Sequence, residues 1–156
     1  MIIMQETLFT ILIFAGLLVA FAVLLAGALF VLSRIGGWHA LAREFPAGES
    51  KGMDGRRHRW CSVRFSLLVN YNNCLTVIVG EDGMYMRTNI FMRLAHPPIL
   101  IPRGAIRNHS AGSTVLFSST RLELDRESDH EPRIITLYGR GLSSTLHAWL
   151  DAHDEE

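Results

Sequence analysis

The chain has 156 residues and a formal net charge of zero, with 15 basic and 15 acidic side chains. Because balanced charge gives no general attraction for a polyanion, we expect no nucleic-acid partner. About 100 residues follow the apolar N-terminal segment and its flank, which is enough for one small domain with a single core.

Residues 8–32 form one apolar run without a charged side chain. As an α-helix, this run would be about 37 Å long, against a bilayer hydrocarbon core of about 30 Å. We therefore predict a transmembrane helix over residues 8–33. A cleaved signal peptide is disfavoured because the run is too long and because the residues before it include Glu6 but no Lys or Arg.

Small residues share one face of this helix, where Gly16, Ala20 and Gly27 lie at i, i+4 and i+11. Such a face allows close approach of a second helix, so it predicts contact with other membrane protein subunits. The alternative is that these residues reflect only the ordinary glycine and alanine content of membrane helices.

The basic residues near the run lie on its C-terminal side, at Arg34, Arg43 and Lys51. The positive-inside rule then places the N-terminus outside and the following domain in the cytoplasm. Cys61 and Cys74 would lie in a reducing compartment, so we expect no disulfide between them.

Residues 37–46 are predicted to form a short juxtamembrane amphipathic helix, whose apolar face holds Trp38, Leu41, Ala42 and Phe45. Gly36 and Gly37 are expected to loosen the exit from the membrane. Trp38 is a candidate for membrane contact because tryptophan beside a span prefers the headgroup zone. The helix would lie on the inner leaflet or against the domain, and residues 47–56 are predicted to be a flexible linker.

From residue 57 the pattern changes to short β-rich segments separated by turns and prolines. We predict strands at 60–69, 74–79, 84–91, 99–106, 114–125 and 134–138, with a polar turn at 70–73. A core-facing stripe predicts a C-terminal helix, with Leu142, Leu146, Trp149 and Leu150 on one face. Residues 57–151 would form a mainly-β domain, an antiparallel and partly open barrel closed by that helix.

The order of these elements resembles that of bacterial pleckstrin-homology-like and GRAM-like domains, where a strand with an Ile-Pro pair precedes the last strands and the closing helix. Short motifs are also similar to those of an uncharacterised family of small bacterial single-span membrane proteins: Gly37-Trp38, Tyr71-Asn72-Asn73-Cys74-Leu75, Gly83-Met84-Tyr85, His96-Pro97-Pro98 and Leu100-Ile101-Pro102. This resemblance covers residues 38–106. It implies a non-enzymatic fold in the bacterial inner (cytoplasmic) membrane.

Lipid-binding members of the pleckstrin-homology class carry basic residues around the first hairpin loop, which hold inositol phosphates. Residues 69–73, the corresponding loop predicted here, contain no Lys or Arg. Phosphoinositide binding is therefore not expected.

No residue pattern predicts a metal or cofactor. The candidate zinc ligands are His58, Cys61, Cys74, His96 and His109. Their spacing matches no standard zinc motif, and no C-x-x-C-H haem-attachment motif occurs in the sequence. No nucleophile elbow or phosphate-binding glycine loop is present in the sequence. An enzyme would use Cys74 with His96 or His58, or a His/Asp pair such as His96 and Asp82.

Two further groups could contact a partner. Arg56, Arg57 and Arg59 begin the β domain, and connectivity suggests that they face the membrane, where each contributes about 1 kcal/mol near anionic lipid. The alternative is a solvated strand start. An apolar, methionine-rich segment follows, containing Met84, Met86, Ile90, Phe91 and Met92. We expect half of it to face the core.

The sequence thus favours a non-enzymatic, membrane-anchored binding module, an accessory subunit of a larger inner-membrane complex. Other membrane subunits and lipid headgroups would be its partners. The alternatives are a peripheral lipid-sensing domain and a membrane-bound hydrolase or redox enzyme that uses Cys74 and His96.

Overall fold

The computed structural model describes residues 2–48, 54–65, 69–114, 117–125 and 133–152. Helix α1, Ile2–Ile35, contains the predicted apolar run. Its most apolar window has a mean hydropathy of 2.9 and no buried residue. Among the described residues it is the one helix long and apolar enough to cross a membrane.

Helix α2, Trp38–Glu44, follows a two-residue corner and packs on the β domain through Trp38, Leu41 and Ala42. After α2 the chain runs along strand β4, Ile99–Ile101, where the Phe45 carbonyl accepts from the Leu100 N–H at 3.1 Å. An isolated bridge joins Pro46 to Ile99. Of the two expected positions for α2, it occupies the one against the domain.

Seven antiparallel strands form one sheet in the order β4-β3-β2-β1-β7-β6-β5, and its two edge strands do not pair within the described residues. The first four are β1 (Arg56–Arg64), β2 (Asn70–Gly80), β3 (Gly83–Thr88) and β4. A short 3-10 turn at Arg103–Ala105 precedes the last three, which are β5 (Ile106–Thr114), β6 (Phe117–Leu124) and β7 (Arg133–Tyr138).

The C-terminal helix α3, Leu142–Asp151, confirms the helix predicted from its apolar stripe and packs against β2, β6 and β7. Between the helices and the concave side of the sheet lies one core, which includes Val63, Leu75, Met84, Met86, Ile101, Leu122, Leu137 and Leu146. The architecture therefore confirms an apolar N-terminal helix followed by a mainly-β, open antiparallel domain and a closing helix.

Several predicted boundaries are wrong, each for a local reason. Strand β1 ends at Arg64, residues 66–68 of the predicted strand 60–69 lie outside the described residues, and the segment predicted as a polar turn at 70–73 begins β2. Tyr71 faces the core there, while Asn72 and Asn73 face solvent. The predicted strand 99–106 ends before Pro102, which cannot donate to the ladder. Strand β5 lies in the gap between two predicted strands because its polar edge sequence shows no alternation.

Candidate functional site

The end of α1 turns sharply into the β domain at Gly36 and Gly37. A side-chain carbon added at Gly36 would lie 2.6 Å from the Tyr71 hydroxyl oxygen and 2.8 Å from the Leu32 carbonyl oxygen. Gly37 has a φ of +79°, which glycine adopts readily. Arg133 donates to the Gly37 carbonyl from its Nη1 at 3.3 Å. The glycines therefore form a packed corner, and the expectation of a loosened exit is wrong.

An aromatic cluster, defined as Trp38, Phe65, Tyr71 and His96, fills this corner. Ring centroids lie 5.5 Å apart for Trp38 and Tyr71, 5.6 Å for Trp38 and His96, and 5.3 Å for Tyr71 and His96. Such edge-to-face and tilted arrangements favour aromatic packing beyond the area that they bury. The Trp38 Nε1–H donates to the Pro97 carbonyl at 2.8 Å.

Both ring nitrogens of His96 have polar partners within this aromatic cluster. Its Nδ1 lies 3.0 Å from the Met92 carbonyl, which can only accept, so Nδ1 carries a proton. Its Nε2 lies 3.1 Å from the Tyr71 hydroxyl oxygen. That hydroxyl donates to the Leu32 carbonyl of α1 at 3.3 Å, so its single proton is shared between two neighbouring partners. Burial lowers the pKa of His96, which the Met92 carbonyl partly offsets, and burial followed by the Cys74 charge raises the pKa of Tyr71 to about 12.

Beside the corner, residues 89–98 connect β3 to β4 and expose apolar side chains. Ile90 is 70% exposed, Phe91 is 78% exposed and Leu94 is 88% exposed. We call these three residues the apolar loop. His96, a member of the aromatic cluster, follows Leu94 by two positions, so the apolar loop lies at the α1 end of the domain. The methionine-rich segment is therefore divided, with Met84 and Met86 in the core and Ile90 and Phe91 on the surface.

Two β-bulges shape the outer face of the sheet. Trp60 is an extra residue between the pairs Arg59–Thr76 and Cys61–Leu75, and residues 72–74 of β2 lie opposite Ser62 alone. Trp60 and Asn73 have positive φ values of 60° and 49°, which are uncommon for residues other than glycine. Bulges redirect side chains, and here they leave the Trp60 side chain 71% exposed.

A cavity of about 620 Å³, which we call the Trp60 groove, opens at these bulges and is lined by Arg59, Trp60, Ser62, Asn70, Asn72, Asn73, Tyr138, Gly139 and Arg140. A smaller cavity of about 210 Å³ shares Arg59, Trp60 and Asn73 with it and adds Arg87. The two lining sets contain three arginines, several amide groups and an exposed indole, and none of their members is acidic. Such a surface suits an anionic group next to a flat or apolar one.

The Trp60 groove was not predicted from the sequence, although a signal for it exists. Cys61 and Val63 point into the core, so alternation places their neighbours on the outer face. Trp60 next to Arg59 at such outward positions combines two residue types that are enriched at protein interfaces.

The basic cluster lies away from the corner. Strand β1 runs from Arg56 to Arg64, about 26 Å at the usual rise per residue, and its Arg64 end lies next to Gly37 and Trp38. Arg56 and Arg57 therefore lie at the opposite end, paired with Val79 and Ile78. Membrane contact by this cluster remains a prediction, with most of the length of β1 between Arg56 and the corner. Arg59 alone of the three lines the Trp60 groove.

Two other sets of predicted contact residues have different outcomes. The Trp38 side chain is 0% exposed, so the proposed contact with lipid or a partner is wrong for this residue. Gly16 and Gly27 have nothing within 4 Å of an added side-chain carbon, and Ala20 is exposed on the same helix. Helix contact through these three small residues remains a prediction.

The residues of the enzyme alternative do not form an acid–base pair. Both ring nitrogens of His96 are engaged, and burial raises the pKa of the Cys74 thiol, which disfavours its thiolate. Asp82 lies in the β2–β3 turn, at the other end of β3 from the loop that carries His96. Burial likewise raises the pKa of Cys61 to about 11, and both cysteines are free thiols.

A third feature brings together His109 of β5 with His147 and Asp151 of α3, each offering one ligand atom within 4.8 Å of the others.

Comparison of the sequence with protein-family models and with curated proteins finds no match.

Proposed function

We propose that the chain is a single-span, membrane-anchored binding module without catalytic activity of its own, and an accessory subunit of a larger membrane assembly. The meandering strand order, the pairing of the first strand with the last, and the closing helix support a pleckstrin-homology-like assignment. The basic flank at Arg34 and Arg43 supports a cytoplasmic domain in a bacterial inner membrane.

The observation that carries the proposal is the exposed Trp60 groove on a domain that is fixed to an apolar helix. Tryptophan and arginine are enriched among the few residues that dominate binding energy at protein interfaces. The Trp60 groove has two arginines, the adjoining smaller cavity adds a third, and neither has an acidic lining residue, so this surface selects an acidic, extended segment of a neighbouring subunit. The small-residue face of α1 offers that subunit a second contact within the membrane.

The apolar loop supports a fixed position of the domain on the bilayer. Burying one large apolar side chain is worth about 1.5–3 kcal/mol, so three of them beside the α1 corner hold the domain down without a phosphoinositide site. Arg93, exposed in the same connection, can extend its guanidinium to lipid phosphates. The domain thus contacts lipid by apolar insertion, while the Trp60 groove remains available for protein.

Photo-cross-linking in intact cells tests the binding role. A photoreactive amino acid at Asn72, an exposed lining residue, is expected to cross-link one membrane protein through an acidic segment. Combining it with Arg59→Glu and Arg140→Glu should abolish that product by charge repulsion. Arg57→Glu is the matched control, since Arg57 is exposed on the same strand and does not line the Trp60 groove. A cross-link that survives the double substitution, or no cross-link at all, would refute the proposal.

A further inference from the structure

We propose that His109, His147 and Asp151 form a binding site for a divalent transition metal, with Zn²⁺ as the ion best suited to it. This site is separate from the Trp60 groove and from the membrane corner. It joins the edge strand β5 to the closing helix α3, the two elements that end the sheet and cover the core.

The three side chains come from a simple local arrangement. His147 and Asp151 are four residues apart on α3, so they lie one above the other on one helix face. His109 faces them from β5, with its Nε2 3.2 Å from Asp151 Oδ1. The two imidazole rings have centroids 5.0 Å apart and an interplanar angle of 54°.

The distances fit a metal centre closely. Ligands at about 2.0–2.1 Å from a tetrahedral Zn²⁺ lie about 3.4 Å from one another. The separation of His109 Nε2 and Asp151 Oδ1, at 3.2 Å, is close to this value, and all three ligand atoms lie within 4.8 Å of one another. Bringing His147 to the tetrahedral separation requires a side-chain movement of at most about 1.4 Å, with water as the fourth ligand.

An unpartnered nitrogen provides independent support. The Nε2 atom of His147 is buried and has no hydrogen-bond partner among the described residues. A buried polar atom without a partner is costly, and a metal ion would satisfy it. Two imidazoles and one carboxylate favour Zn²⁺ and similar ions over Mg²⁺ and Ca²⁺, which prefer oxygen ligands alone.

The surroundings of the site include a neighbouring positive charge. Arg103 donates to the Leu150 carbonyl, one residue before Asp151, and its guanidinium lies 5.1 Å from the Trp149 ring centre. Asp151, together with the C-terminal carbonyls of α3, supplies the negative charge that offsets it. The sequence did not predict this site because its spacing combines one strand residue with a helical His-x-x-x-Asp pair, which is no standard zinc motif.

Calorimetric titration tests the site on the full chain in nonionic detergent after treatment with a chelator. The wild type is expected to bind one Zn²⁺ per chain, and Mg²⁺ should not compete. His147→Ala and Asp151→Asn should each weaken binding by more than the 10- to 100-fold typical of losing a ligand's hydrogen-bond partner. Asp151 has a side chain 65% exposed, so its substitution tests binding without unfolding the domain.

His39→Ala, in α2, is the matched histidine control and should bind Zn²⁺ as the wild type does. His153→Ala tests whether the acidic C-terminal tail is the real binder. Three results would overturn the proposal: no saturable Zn²⁺ binding, equal binding by His147→Ala, or loss of binding on His153→Ala alone.

Discussion

Two tryptophan residues differ in environment more than their positions in the sequence suggest. Trp38 follows the apolar helix and was expected at the lipid headgroups, yet it is 0% exposed and donates to Pro97. Trp60 lies in a strand that begins with basic residues, and no sequence pattern predicts a contact for it. Its side chain is nevertheless 71% exposed in the Trp60 groove. The sequence shows which residue types suit an interface. The burial of Trp38 depends on contacts with Tyr71 and His96, which are 33 and 58 positions away in the chain.

Substitution of the two tryptophans should separate their roles. Trp38→Ala removes a fully buried aromatic side chain, so it should lower the free energy of unfolding by about 3–5 kcal/mol. Trp60→Ala removes an exposed one and should change it by less than about 0.5 kcal/mol. Chemical denaturation of the full chain in detergent measures both. Comparable destabilisation by the two substitutions would contradict the assignment of core and groove.

The pH dependence of stability should report His96. Its pKa is lowered from the usual 6.5 in the folded chain, so the unfolded chain takes up the proton first. The neutral ring therefore contributes stability above pH 6.5, and that contribution is lost as the pH falls below 6.5 towards the folded pKa. Thermal melting of wild type and His96→Gln should show a difference that shrinks with acidification. A difference in melting temperature that grows as the pH falls would contradict a lowered pKa of His96 in the folded chain.

At the level of elements, the apolar run and the stripe of α3 predicted their helices because periodicity and length were unambiguous. Strand existence was also predictable where apolar residues alternate, as at Leu122 and Leu124. The Asn-rich stretch at 70–73 predicts a turn by composition, whereas in the structure a bulge accommodates it within β2. Strand β5, at the sheet edge, has polar residues without regular alternation, since one of its sides has no strand partner in the described part of the chain.

The corner between α1 and α2 makes a testable claim about glycine. Gly36→Ala places a carbon 2.6 Å from the Tyr71 hydroxyl oxygen and 2.8 Å from a backbone carbonyl, so the corner must shift. We expect a loss of about 1–3 kcal/mol in unfolding free energy and faster amide exchange around Tyr71. Gly48→Ala, with nothing within 4 Å, is the matched control and should be neutral. Equal behaviour of the two variants would show that the corner is loosely packed.

For the whole molecule, the chain-level plan was predictable and the sites were not. An apolar helix followed by a mainly-β domain and a closing helix follows from hydropathy and period alone. The Trp60 groove needs two bulges on neighbouring strands, and the His109–His147–Asp151 cluster needs β5 beside α3. Both sites depend on tertiary contacts, which no local sequence pattern predicts. The separation of Arg56 and Arg57 from the corner also depends on tertiary structure, because proximity along the chain does not determine distance in the fold.

The central claim is that the apolar loop and the end of α1 together fix the domain on the bilayer. Its most direct test is the depth of a fluorescent label in the full chain reconstituted into liposomes, at Phe91→Cys and, as control, at Glu81→Cys in the distal β2–β3 turn. A Cys74→Ala background removes the native half-buried thiol. Cys61 can stay in place, because it is fully buried and therefore protected from the label. We predict that nitroxides on lipid acyl chains quench the label at position 91, that aqueous iodide does not, and that position 81 shows the reverse. Equal quenching of both positions by iodide would contradict the account.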